Sequence, residues 1–143
     1  DFLSRLKRAP LMCDGAMGTL LYAKGIFINR CYDELNLTNP QMVKDVHLAY
    51  LKAGAEVLET NTFGANRWKL SKFGLAAEVE KINRAGVRIA REAAKEAVLV
   101  AGSIGPSGKL PSATDPDLSN VGFDDLLDVF REQALGLIRG GDP

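Results

Sequence analysis

Cysteine is scarce in this chain, with Cys13 and Cys31 the only two among 143 residues. Two are too few for the disulfide scaffold of a small secreted domain. With no apolar leader in residues 1–10, the pair reads as free thiols in a reducing compartment, and the expected location is cytoplasmic. Histidine is scarcer still: a catalytic His/Asp relay must use His47 or do without, and one His with two Cys cannot close a four-ligand zinc site. His47 lies among apolar residues of an expected helix and reads as a surface or packing residue. Net charge is absent, 18 Lys and Arg balancing 18 Asp and Glu, which removes the acidic-tail and polybasic classes. Long apolar runs are lacking too. None approaches the roughly 18 to 20 residues that span a bilayer, so no membrane partner is expected.

What is present is an ordinary globular composition, 46% hydrophobic and 25% charged, sufficient to bury a core at this length. Charge is nonetheless uneven. Arg67 to Glu96 carries eight basic and four acidic side chains, and Leu110 to Pro143 two basic and seven acidic, so the two stretches should attract each other. The basic side chains are interleaved with Glu78, Glu80, Glu92 and Glu96, the pattern of a solvated helix face, and no nucleic-acid partner is expected.

Three short apolar runs break into polar or glycine residues: Leu11-Met12-Cys13 at Asp14-Gly15, Val57-Leu58 at Glu59-Thr60-Asn61, and Val98 to Ala101 at Gly102-Ser103. Continuous apolarity predicts strands covered on both faces, as in a parallel sheet, and their spacing of about 45 residues leaves room for crossover helices. Asn39-Pro40 predicts a helix start, and Met42, Val46, Ala49 and Ala53 carry its apolar face to Gly54. Similar spacing predicts helices over Glu78 to Ala97 and Phe123 to Ile138, the last closing at Gly140-Gly141. The order β-α-β-α-β-α means an α/β fold, either an open doubly wound sheet or a closed barrel. Because all three strand ends carry polar or glycine residues, a barrel mouth is favoured.

Each motif has a chemical and a structural reading. Gly102 to Lys109 is not a phosphate loop, since five residues separate Gly102 from Gly108-Lys109, Leu110 replaces the required hydroxyl, and Pro106 and Pro111 oppose a helix. It is either a tight strand exit or a backbone that closely approaches a ligand. Asp14-Gly15-Ala16-Met17-Gly18-Thr19 can hold an amino acid zwitterion, with Asp14 accepting from an ammonium and the Gly15 and Ala16 amides donating to a carboxylate. Alternatively Asp14 caps a short helix through Thr19 to Tyr22. In Glu59-Thr60-Asn61-Thr62-Phe63-Gly64-Ala65-Asn66, the structural reading has Thr62 or Asn66 capping the next helix and Glu59 pairing with a basic neighbour. Trp68, Phe73 and Met42 read as helix packing.

Taken together, Asp14 to Thr19, Glu59 to Asn66 and Ala101 to Pro106 resemble, in order and spacing, the motifs of the homocysteine S-methyltransferase family, and the likeness runs from about Leu11 to Gly141. The resemblance implies a (β/α)8 TIM barrel of which residues 1–143 hold about the first three βα units, the chain being cut before strand four. It implies homocysteine as substrate and zinc to activate its thiol, with a methyl donor such as methylcobalamin, methyltetrahydrofolate or a sulfonium compound. The zinc ligands are expected outside this segment, so neither metal ligands nor catalytic residues are expected within it, and the segment alone should be inactive. Cobalamin, folate or reductase modules are the implied partner domains. Asp14 matches the family's acid for the homocysteine ammonium, and Gly15 and Ala16 match the amides for its carboxylate. Glu59, Thr60, Asn61 and Phe63 match the second motif, and Ser103 and Gly105 the third. The rival expectations are a non-catalytic half-barrel module that assembles with a second chain, and a sugar-phosphate barrel enzyme.

Overall fold

The structure, a computed structural model, describes residues 2–96, 98–110 and 121–142. Two strands, β1 (Val57–Glu59) and β2 (Leu99–Ala101), pair in parallel with Val57 opposite Leu99 and Glu59 opposite Ala101. Residues 11–13 run beside β1 on its other edge, joined by a single parallel bridge from Cys13 to Val57. The helices are α1 (Phe2–Leu6), α2 (Met17–Ala23), α3 (Leu35–Thr38), α4 (Pro40–Lys52), α5 (Arg67–Ser71), α6 (Val79–Ala94) and α7 (Phe123–Gly140).

The expectation of three strands covered on both faces is met only in part. Val57 and Leu58 are buried, whereas Leu99 and Val100 are half-buried and Met12 is 63% exposed. The reason is position. Among the described residues β1 has a neighbour on each edge, while each flanking segment has one.

The long helices begin and end for the reasons that their sequences supply. The Asn39 side chain accepts a hydrogen bond from the Met42 N–H and Pro40 fills the first turn of α4. Gly54, at φ +103°, then turns the chain into β1 through a left-handed conformation. The α6 helix stops at Ala94, earlier than its apolar spacing predicts, because Lys95 adopts φ +53°; the rest of the predicted end reaches Ala97, outside the described residues. Against α6, α7 packs closely enough that a Cβ on Gly140 would come within 2.9 Å of the Arg84 Cα, and one on Gly136 within 3.1 Å of the Asn83 Cβ. An ion pair from Arg67 to Glu132 joins the basic stretch to the acidic one in the sense expected from their charge, while Arg139 to Glu80 joins them with the signs reversed.

Apolar side chains from α2, α3, α4 and α6 meet in one cluster, with Leu21, Val43 and Val46 fully buried, each contributing roughly 1.5–3 kcal/mol of transfer free energy. A smaller cluster of Ala55, Leu58, Ala93 and Ala94 fastens β1 to α6. Parallel pairing places all three strand exits on one side of the sheet, and these clusters hold them there.

Candidate functional site

At that side lies a cavity of about 730 Å3, lined by residues of all three exits. A recess of similar volume runs along the outer face of α6, from Leu37 to Arg88. It contains no strand-exit residue and its polar lining is the solvated flank of a helix, so the strand-end cavity is the candidate site.

Asp14 leaves the first segment with its N–H bonded to the Val57 carbonyl and its Oδ2 accepting the Glu59 N–H at 3.0 Å. The side chain is thus fixed at the cavity wall and does not cap α2, which has Ala16 at its N-cap and no side-chain cap bond. Burial raises the Asp14 pKa to about 6; the Glu59 N–H opposes that rise and the Glu59 charge adds to it. A cation arriving at Asp14 would relieve that cost. The next two residues are held from behind. Tyr50 donates its hydroxyl to the Ala16 carbonyl at 3.1 Å, and its hydroxyl oxygen lies 2.9 Å from where a Gly15 Cβ would stand. Among the described residues the N–H groups of Gly15 and Ala16 have no acceptor.

Among the described residues Glu59 has no basic partner; its Oε2 accepts from the Ser103 hydroxyl at 3.0 Å. Below it a closed ring of bonds joins the second and third exits. Thr62 Oγ1 donates to the Ser103 carbonyl, so the Thr60 hydroxyl donates to Thr62 across 2.6 Å, while Thr60 Oγ1 accepts the Ser103 N–H. Asn61 spends its side-chain amide within the protein, donating to the Tyr32 carbonyl and to Asn36 Oδ1. Asn66 caps α5 by accepting the Lys69 N–H, as its structural reading expects.

Of the nine residues expected at the site, Asp14, Gly15, Ala16, Glu59, Thr60, Asn61, Phe63 and Ser103 line this cavity. Gly105 lies beneath it, donating its N–H to the Phe63 carbonyl at 3.0 Å. A Cβ there would run into that same carbonyl oxygen and stand 2.8 Å from two ring carbons of Phe63. Gly105→Ala is therefore expected to destabilise the fold by about 1–3 kcal/mol, read as a lower midpoint in a urea melt; an unchanged midpoint would show that the two loops pack loosely. The Gly102 to Lys109 segment is thus a packed strand exit, with Ser103 its part of the cavity wall.

Five further lining residues, Arg30, Cys31, Tyr32, Asp33 and Phe73, come from segments that carry no motif. Phe73 follows α5, is 47% exposed and faces the cavity, which corrects its reading as helix packing. Met42, in contrast, packs against the main cluster as expected, and Trp68 lies on α5 with the Lys109 ammonium 5.2 Å from its ring centroid.

Among the described residues no group of three His, Cys, Asp or Glu side chains is arranged to hold a metal ion. Cys13 is exposed at the sheet edge, and Cys31 is buried with its sulfur 4.0 Å from Asp33 Oδ2. Burial and the neighbouring acids raise the Cys31 pKa, which disfavours the thiolate that a metal needs. These residues do not fit a zinc site.

Comparison with known proteins agrees with this geometry. Methionine synthase of Mycobacterium tuberculosis (strain ATCC 25618 / H37Rv) is 34% identical over 153 residues and that of Mycobacterium leprae (strain TN) 33% identical; each alignment takes in 99% of this chain. The chain spans 12% of the length of either relative. The crystal structure of the homocysteine methyltransferase MmuM from Escherichia coli in its metallated form superposes with a TM-score of 0.79 at 25% identity, covering 96% of this chain and 53% of that one. Its oxidized form gives 0.75 at 26% identity, with coverage of 92% and 50%. The family profile described as homocysteine S-methyltransferase matches residues 11–142, a span that includes every residue lining the cavity, and the chain belongs to that family.

Proposed function

We propose that this chain is the N-terminal part of a (β/α)8 barrel domain, about its first three βα units, that binds homocysteine for methylation to methionine in the complete protein. One observation carries the reading: a carboxylate raised by burial stands beside two backbone N–H groups without acceptors, at the meeting point of the strand exits. That arrangement complements an amino acid zwitterion. Asp14 accepts from the ammonium, Gly15 and Ala16 donate to the carboxylate, and Tyr50 keeps their backbone in place. Glu59, Thr60 and Ser103 form the polar floor, and Phe63 the apolar wall.

A free thiol has a pKa near 8.5, and a bound zinc ion supplies the acidity that makes it a nucleophile at neutral pH. In this reading the zinc and the methyl donor, a methylcobalamin, methyltetrahydrofolate or sulfonium compound, are held by parts of the protein outside this chain. Metal analysis of the complete protein tests the first point. About one zinc per chain is expected after dialysis, unchanged in the Cys13→Ala and Cys31→Ala variants. Loss of zinc in either variant would place a ligand in this segment. Methionine formation from homocysteine and each donor class tests the activity, and no turnover with any of them would sink it.

A further inference from the structure

The cavity wall contains a charged group that the zwitterion does not use. Asp33 sits in the loop before α3, between Tyr32 and Glu34, with its Oδ1 accepting the Gly64 N–H at 2.9 Å. The other end of the same peptide unit, the Phe63 carbonyl, accepts from the Gly105 N–H at 3.0 Å. The peptide between Phe63 and Gly64 is therefore gripped on both sides, once by backbone and once by a carboxylate. Its neighbours are held as well: the Asn61 carbonyl accepts from Asn36 and the Thr62 carbonyl from Gln133, each at 2.7 Å. Phe63 itself is 58% exposed, with the Lys69 ammonium 5.1 Å from its ring centroid. An exposed ring gains little orientation from packing, so the direction of its peptide decides where it stands.

We propose that Asp33 is a positioning residue of this cavity: by clamping the peptide between Phe63 and Gly64 it fixes the Phe63 ring as the aromatic wall against which substrate is held. Burial raises the Asp33 pKa, while the Gly64 N–H and the Lys69 charge lower it. The clamp needs an acceptor oxygen at the Oδ1 position and not a charge, which a side-chain amide of the same length also supplies. The Gly64 position fits the same role, since a Cβ there would stand 2.7 Å from Asp33 Oδ2; only a residue without one lets the carboxylate approach. The clamp acts through Phe63 and needs no contact between Asp33 and the ligand.

The role in binding rests on the homocysteine reading of the cavity, and the test separates the two. In the complete protein, Asp33→Ala should weaken L-homocysteine binding, measured by titration calorimetry, by about tenfold. Asp33→Asn, whose side-chain oxygen can still accept from Gly64, should stay within about threefold. In a Phe63→Ala background the Asp33→Ala change should add no more than about twofold, because the group it positions is gone. Additive losses, an Asn variant as weak as Ala, or an Ala variant of unaltered affinity would each overturn the clamp. Should Asp33→Ala fail to fold, Asp33→Ser takes its place, its hydroxyl being too short to bridge to Gly64. A ligand-independent arm follows amide hydrogen exchange in a peptide containing Gly64, which should quicken in the Ala or Ser variant and not in Asn. Quickened exchange in a protein that binds no homocysteine would keep the clamp and sink the cavity reading, whereas unaltered exchange would sink the clamp.

Discussion

Asp14→Asn in the complete protein should lower homocysteine affinity by about 10- to 150-fold, the loss of one charge-assisted bond of roughly 1.5–3 kcal/mol. The same change should raise the stability of the fold at neutral pH. Asparagine keeps an oxygen for the Glu59 N–H that Asp14 now accepts, and it removes both the burial cost of the carboxylate and its repulsion from Glu59. With a folded pKa of about 6 against 3.8 unfolded, the folded state binds the extra proton across that window. The contribution of Asp14 to stability is therefore fully present in acid and lost as pH rises through 6. Opposite signs for stability and affinity mark a residue kept for binding. Asp14 also gives binding its own pH profile: below about pH 6 a proton competes with the ammonium, so between pH 7 and 5 wild-type affinity should fall more steeply than that of Asp14→Asn, which keeps only the dependence that deprotonation of the thiol imposes. Calorimetric titrations across that range, beside urea melts, decide the matter, and an Asn variant with wild-type affinity would remove Asp14 from the site.

What the sequence disclosed was whatever is written locally. Apolar runs closing in Asp14, Glu59 and Gly102 mark the strand exits, and the observed pairing of Cys13 with Val57 and Val57 with Leu99 follows from their spacing. Asn39-Pro40 and Gly54 bound α4 because capping is a matter of adjacent residues. The parts that stayed hidden depend on partners far along the chain. Asp33 meets Gly64 across 31 residues, Tyr50 meets Ala16 across 34, and Gln133 reaches Thr62 across 71. No periodicity records such pairs. Arg30 to Asp33 accordingly carries no motif, although it supplies a wall of the cavity. Gly105 was legible as a motif residue and not as a packing contact, since its reason for lacking a side chain is the Phe63 carbonyl.

His47 shows the same limit with a larger energetic consequence. Read as a surface or packing residue, it is fully buried in α4, and neither ring nitrogen has a hydrogen-bond partner among the described residues. Desolvation lowers its pKa from 6.5 to about 4, so the unfolded chain binds the extra proton between those values. The stability that neutral His47 permits is present above pH 6.5 and falls away as pH drops toward 4, by about 3 kcal/mol in all. His47→Leu removes an unpaired buried N–H at similar volume and should stabilise the fold at pH 7 by about 1–3 kcal/mol. Its advantage should widen by about a further 3 kcal/mol as pH falls to 4. Asp14 titrates with the opposite sign over much of that range, which flattens the wild-type profile. The measurement is therefore the difference between wild type and His47→Leu in urea melts from pH 4 to 7. A difference that stays constant across that range would mean that the imidazole is solvated or paired, contrary to the packing of α4 described above.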